Sequence, residues 1–263
     1  ADPTSFFTDS FLQVVPGDTF SWAPAWSVMI PLALVWILVL FVIGRGLSKG
    51  VEAANKIFLP LLVILFLALV VRALFLPGAV EGLNAFFTPN WGALFDPKVW
   101  LAAFAQIFYS LSVGFGIMLT YASYLKPKSN LTGTALVAGF ANSSFEILAG
   151  IGVFSAVGFM AHQGGVSVSE VEGLTGPILS FVTFPKIISM MPGGPIFGVL
   201  FFSSLVLAGV TSLLSLLQVV SGGLQDKFGW SPARSALVLG VPATVVSLAL
   251  FGTRSGLNNL DIV

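Results

Sequence analysis

The chain is 263 residues long, 56% of them apolar and only 8% charged, with 11 basic residues balanced against 11 acidic ones. Soluble domains carry about 25% charged residues, so this composition is that of a polytopic membrane protein, and the balanced charge carries no nucleic-acid signature. Cysteine is absent and His162 is the single histidine. That removes disulfides, thiolate metal sites, a Cys nucleophile, and most zinc sites and catalytic triads.

Apolar runs of about 20 residues mark bilayer-spanning helices. Six are expected, over 25–44, 57–76, 99–124, 132–161, 195–222 and 233–251, within one transmembrane domain covering 1–263. The chain starts at Ala1 without a signal-peptide pattern and stops at Val263 in a polar loop, so both ends read as cut from a longer protein. The first span is followed by Arg45, Lys49 and Lys56. The second leads into residues 77–98, rich in turn formers: Pro77, Gly78, Asn90-Trp91-Gly92 and Asp96-Pro97. The third is followed by Lys126 and Lys128.

The fourth span opens into residues 162–194, which hold a short apolar run from Ile178 to Phe184 that ends at Pro185. This run is too short to span, and a loop so apolar is expected to pack at the protein's mouth as a lid, the plain alternative being a segment lying on the membrane surface. The fifth span is followed by a turn opening at Gly222-Gly223, then Lys227 and Arg234. The three basic loops hold seven of the eleven cations and only two acids, Glu52 and Asp226. By the positive-inside rule they are cytoplasmic. Asp2, Asp9, Asp18, Glu81, Asp96, Glu170, Glu172 and Asp261 then fall on the other side. Six spans return the chain to its starting side, so both ends are expected outside the cell, with the protein multi-pass in the plasma (inner) membrane.

Polar residues concentrate in three spans. The third contains Gln106-Ile107-Phe108-Tyr109-Ser110-Leu111-Ser112-Val113-Gly114-Phe115-Gly116. A carboxamide, three hydroxyls and two glycines within eleven positions weaken a helix and offer its carbonyls other partners. Non-helical backbone at membrane depth survives only in protein or beside a polar cavity, so this helix is expected to break between Ser112 and Gly116, in the manner of transporters. The fourth span holds Asn142 and, one turn on, Glu146, the only acid in any span. A carboxylate there is a functional candidate by default, and an amide and a carboxylate one turn apart suit sodium or a proton-linked site. The plain alternative is a protonated Glu146 bonded across helices with Asn142 as glue. The fifth span has Ala208, Thr211 and Ser212, where two hydroxyls and a freed carbonyl offer three oxygens. There the plain alternative is hydroxyls bonded back to their own helix. Gln106 and Ser110 share a helix face, with interhelical bonding as their plain reading. No enzymatic constellation accompanies these residues: His162 lies near a loop, and no Lys-Ser/Thr follows Gly222-Gly223.

The motif order resembles the neurotransmitter:sodium symporter family, most nearly its bacterial, leucine-transporter-like members. Gln106-Ile107-Phe108 through Gly116, with Tyr121-Ala122-Ser123-Tyr124, resembles the family's sixth helix. Arg45–Glu52 resembles its loop between helices four and five, Leu83–Trp100 its approach to helix six, Gly176–Pro185 its outer lid, and Ala208–Ser212 its eighth helix. The resemblance covers the whole chain and implies helices four to nine of an all-α, partial inverted-repeat fold with one broken helix. It implies a fragment of a symporter that imports an amino acid or related small molecule by alternating access, with sodium as coupling ion and no other cofactor.

On that basis one sodium is implied at Ser110 and Asn142, and another at Ala208, Thr211 and Ser212. Substrate contacts are implied at Tyr109, Ser110, Ser112, Phe115, Ser212 and Leu216, with Gln106 in support. Tyr109 stands where the family usually has Phe. Glu146 stands where chloride-dependent members have Ser, which implies chloride independence through a carboxylate that supplies the charge itself. The competing classes are an ion channel and a non-transporting membrane subunit. Channels favour rings of like residues, whereas here different polar groups sit on three different helices.

Overall fold

The computed structural model describes residues 5–13, 22–126, 128–171 and 179–253. Asp2, Asp18, Glu172, Asp261 and the Gly176-Pro177 motif lie outside the described residues. Those described are almost entirely helical: α1 Trp26–Gly44, α2 Ala53–Leu74, α3 Ala79–Phe87, α4 Pro97–Ser110, α5 Ile117–Ser123, α6 Leu131–Gly164, α7 Phe184–Met190, α8 Gly194–Phe228 and α9 Pro232–Phe251. The one extended pairing among them is the bridge of Pro24 with Thr253. Among the described residues, five helical stretches are long and apolar enough to cross a bilayer, the second of them from Lys49 to Leu74. The third expected span, 99–124, is divided between α4 and α5. This is an all-α membrane protein with one interrupted spanning segment.

Helix ends follow local chemistry. Asp96 accepts from Lys98 N at 2.9 Å and Pro97 opens α4; Ser231 accepts from Arg234 N at 3.3 Å and Pro232 opens α9. Asn130 accepts from Gly133 N at 2.8 Å at the start of α6. Such side chains satisfy amides that a helix start leaves orphaned. Three bounds differ from the sequence expectation. The second span starts before residue 57, because Lys56 Nζ reaches Glu52 Oε1 at 2.8 Å across one turn and draws a charged segment into the helix. Helix α8 runs through Gly222-Gly223, an expected turn, with Gln225 Nε2 bonded to Ser221 Oγ at 3.0 Å across the pair. The short run near 178–184 is a helical turn, Leu179–Thr183, continuing into α7. Pro185 does not end it, because it sits in the first turn of α7, where its missing N–H costs nothing.

The chain divides into two compact units, residues 1–65 with 172–263, and residues 66–171. In the first, α1, α8 and α9 pack around Val39, Val42, Ile43, Val51, Val210, Leu214 and Ala236. A buried bond between Ser221 Oγ and Ser235 Oγ, at 2.9 Å, ties α8 to α9. Ile30, Leu34, Ile37 and Phe41 of α1 and Val241 and Val245 of α9 stay exposed, as lipid-facing side chains do. At one end, Phe181 of the turn before α7 stacks on Phe7 at 5.2 Å and on Phe202 of α8 at 6.4 Å.

In the second unit, α3 lies across α6 with backbone against backbone. A Cβ on Gly82 would meet Phe154 O at 1.8 Å, and one on Gly158 would meet Gly78 O at 2.4 Å and Gly82 N at 2.6 Å. Small residues at crossings let helices approach where lipid supplies no hydrophobic drive. Phe86 then packs on Phe154, rings 4.9 Å apart, and Phe66 on Phe145, 5.2 Å apart.

Because backbone cannot yield at the α3–α6 crossing, Gly158→Ala is expected to lower stability by about 1–3 kcal/mol. Thermal unfolding in detergent of a full-length chain carrying this segment measures it. An unchanged midpoint would mean that the crossing is looser than these distances imply.

Candidate functional site

The interruption between α4 and α5 follows from its residues. Leu111 N still bonds Ile107 O at 3.1 Å, but Ser112 N turns to Tyr109 O at 3.0 Å and Val113 N to Phe108 O at 3.0 Å, so the last turn loses its register. Ser112, Gly114 and Gly116 then take φ of 51°, 88° and 76°. Glycine adopts such values freely, whereas Ser112 does so at a cost of about 1–2 kcal/mol. A strained polar residue at such a place points to a working site. Helical bonding resumes with Thr120 N on Gly116 O at 2.9 Å. Among the described residues no backbone N–H closes onto the carbonyls of Ser110, Leu111, Val113 or Gly114. They stand at the negative end of α4's dipole, where a cation is favoured.

Beside the break runs α6, and two pairs of side chains link the helices. Asn142 Nδ2 donates to Ser110 Oγ at 3.2 Å. One turn away, Gln106 Nε2 lies 3.5 Å from Glu146 Oε1, the outer limit of a hydrogen bond. Gln106 and Ser110 are four apart on α4, Asn142 and Glu146 four apart on α6, and the pairing 106 with 146 and 110 with 142 runs antiparallel. Asn142 and Glu146 are half-buried. Ser110 Oγ also lies 3.5 Å from Ile107 O. Turning the Asn142 carboxamide over would set its oxygen beside Ser110 Oγ, giving two hard oxygen donors next to freed carbonyls. Tyr109 and Phe115 flank the break, 76% and 48% exposed, and Ser112 is half-buried between them.

The second cluster lies in the other unit, on α8. Thr211 Oγ1 donates to Ala208 O at 2.9 Å, and Ser215 Oγ to Thr211 O at 3.1 Å. These are the back-bonds to its own helix that membrane Ser and Thr commonly make. They also hold two of the three expected oxygens together. Ser212 is exposed, as is Leu216 one turn on.

Two features go beyond the sequence reading, which counts Gln218 among the polar residues of the fifth span but gives it no role. Gln218, 1% exposed, leaves its Oε1 without a partner among the described residues, as does half-buried Asn55 with its Oδ1. An Asn or Gln inside a span was the available signal. His162 Nδ1 lies 3.8 Å from Glu81 Oε1 across the α3–α6 crossing. That pair joins residues far apart in sequence, so nothing in either segment announces it. Just beyond α6, Glu170 accepts from Ser167 N at 2.8 Å. Bonds from the backbone and side chain of Ser167 hold its carboxyl below the usual range.

An apolar helix broken along its length, with oxygen-bearing side chains of a second helix beside the break, is a construction found in multi-pass membrane proteins that hold an ion or substrate within the bilayer. Over residues 1–263 the chain matches the Sodium:neurotransmitter symporter family, and it belongs to that family. It is 38% identical over 266 residues to an uncharacterised sodium-dependent transporter of Methanocaldococcus jannaschii, covering 100% of this chain and 53% of the relative. It is 34% identical over 208 residues to the human sodium- and chloride-dependent neutral and basic amino acid transporter B(0+), covering 77% of this chain and 32% of that protein. The crystal structure of MhsT in complex with L-phenylalanine is similar with a TM-score of 0.76 at 35% identity, covering 100% of this chain and 56% of that one. The chain thus spans about half the length, or less, of these relatives.

The backbone at Gly114 has open space around it but a φ of 88°. A substitution there therefore reports strain without clash. Gly114→Val is expected to cost about 1–2 kcal/mol and Gly114→Asn less, since Asn tolerates positive φ. Thermal midpoints of the full-length variants should fall in that order. Equal midpoints would mean that the break does not depend on this residue.

Proposed function

We propose that this chain is the part of a sodium-coupled symporter that corresponds to its helices four to nine, and that the full-length protein imports an amino acid or a related small molecule by alternating access. The observation that carries the reading is the 3.2 Å contact of Asn142 with Ser110 beside an interrupted helix. A break exposes carbonyls, the C-terminal end of α4 favours a cation, and the neighbouring amide and hydroxyl are hard oxygen ligands suited to sodium. Ser110 and Asn142 are the proposed ligands of one sodium, and Ala208, Thr211 and Ser212 of a second. Tyr109, Ser112, Phe115, Ser212 and Leu216, with Ser110, are the proposed substrate contacts, and Gln106 steadies Glu146. The relatives' names, sodium-dependent and amino-acid transporting, support this reading, as does the phenylalanine bound to MhsT. Both described basic turns of the first unit and Lys126 support cytoplasmic placement of those loops, with the chain's ends outside.

We further propose that transport does not require chloride. Glu146 sits one turn from Asn142, with its Oε1 3.5 Å from Gln106 Nε2 of α4. A fixed anion there offsets part of the cost of burying a cation.

The test of the sodium site is uptake into vesicles by the full-length protein under a sodium or a potassium gradient. Asn142→Ala is expected to raise the half-saturating sodium concentration about 10- to 100-fold, the range for losing a charge-assisted contact. Unchanged sodium affinity would leave Asn142 as interhelical glue.

For the anion, uptake is measured with chloride and with gluconate. The parent protein should be indifferent, and Glu146→Ser, which keeps a hydroxyl but deletes the charge, should work well only with chloride. A chloride-dependent parent, or an indifferent variant, would refute the charge-replacement reading.

A further inference from the structure

The segment from Leu179 to Met190, which the sequence marks as a lid, is held unequally along its length. Its second half, α7, is seated firmly on α8. Phe184 stacks on Phe201 at 4.9 Å, Ile187 and Ile188 are buried, and a Cβ added at Gly194 would meet Ile188 O at 2.4 Å. In its first turn, Leu179–Thr183, the hold is made by rings. Phe181, 39% exposed, faces Phe7 at 5.2 Å with the ring planes 4° apart, and lies 6.4 Å from Phe202 of α8. Aromatic pairs attract at centroid separations of about 4.5–7 Å, so the Phe202 contact is near the far end of that range and the Phe7 stack is the closer hold.

Phe7 belongs to a short helical segment, Phe6–Phe11, that precedes α1. Phe11 stacks in turn on Phe7, with rings 6.3 Å apart and 14° from parallel, and its carbonyl accepts from Ser27 Oγ at the start of α1. Gln13 Nε2 lies 3.5 Å from the same hydroxyl. A run of rings, Phe11–Phe7–Phe181–Phe202, thus passes from the start of α1 across the first turn of the lid to α8, all within one compact unit.

We infer that Phe6–Phe11 is a strap on the lid: Phe7 holds Phe181 towards α8, and release of that stack frees the first turn while α7 stays seated. The inference rests on reading the protein as an importer whose outer face carries this lid. Phe202 and Thr211 are nine residues apart on α8, about 14 Å at 1.5 Å per residue. A turn held at Phe202 therefore stands over the outer approach to the proposed ligands on α8, where it slows the escape of what has bound. Losing one aromatic pair shifts such an opening equilibrium by about two- to tenfold.

The experiment uses the full-length protein in vesicles, with the introduced cysteine as its only one. Thr183 and Ile188 are 5% and 6% exposed, so the rate at which a water-soluble maleimide reaches Thr183→Cys or Ile188→Cys reports how often each half of the lid opens. Phe7→Ala should speed labelling at Thr183→Cys by that factor and leave Ile188→Cys unchanged. Phe7→Trp, which restores a ring, should return the Thr183→Cys rate to that of the parent. General loss of structure would speed both sites together and would not be rescued by tryptophan. In the same vesicles, sodium-driven uptake of a radiolabelled amino-acid mixture at limiting concentration should fall with Phe7→Ala and recover with Phe7→Trp. An unchanged Thr183→Cys rate, or both sites rising together, would overturn the strap. Faster labelling with undiminished uptake would overturn its bearing on transport. Absence of sodium-driven uptake in the parent would overturn the importer reading, while the labelling rates still decide whether Phe7 holds the lid.

Discussion

The constraint on which this protein turns is that hydrocarbon provides no hydrogen-bond partners for a peptide group. Five spanning stretches obey it by running as unbroken helices. The segment between Ser110 and Ile117 does not, and among the described residues it leaves the carbonyls of Ser110, Leu111, Val113 and Gly114 without a backbone donor. Each such group costs free energy comparable to a lost hydrogen bond when taken from water. The break is stable only because protein polar groups or a wetted cavity stand beside it. The residues chosen for α6 at that height, Asn142 and Glu146, are of the kind that meets the demand.

Around that constraint, α6 acts as the reference element of its unit. One face carries small residues, so that α3 can approach until backbones touch at Gly82 and Gly158. Lower down, Gly152 admits Val70 of α2, whose Cγ2 would lie 2.8 Å from an added Cβ. Further on, the same helix presents its amide and carboxylate to α4. Van der Waals packing and a few polar contacts thus share the work that hydrophobic burial performs in soluble proteins.

Much of this was legible in the sequence, for identifiable reasons. Two glycines and three hydroxyls between Gln106 and Gly116 announce an interrupted helix, because propensity and backbone freedom are local properties. The caps at Asp96, Asn130 and Ser231 are local too, as is the spacing that sets Asn142 and Glu146 on one face. What the sequence did not reveal involves partners from elsewhere in the chain. The pairing of Gln106 with Glu146 depends on the register of α4 against α6. The role of Gly78, Gly82 and Gly158 depends on a crossing that no single segment specifies. The start of the second span was missed because Glu52 and Lys56 look like loop charges until they pair across a turn. On α8 the hydroxyl of Thr211 chose its own carbonyl at Ala208, an outcome that the residue types permit but do not dictate.

Helices α6 and α8, of 34 and 35 residues, would each span about 50 Å at 1.5 Å per residue, against a hydrocarbon layer of about 30 Å. Their surplus turns carry Gln163 at the end of α6, and Gln225, Asp226 and Lys227 at the end of α8. With α1 and α9 the situation is reversed, since 19 and 20 residues barely match that thickness. A thicker membrane would therefore meet more helix along α6 and α8, but would begin to submerge the termini of α1 and α9, where Arg45 and Arg234 lie. Hydrophobic mismatch in this protein falls on the two short helices, and they set the range of bilayers in which it sits without distortion.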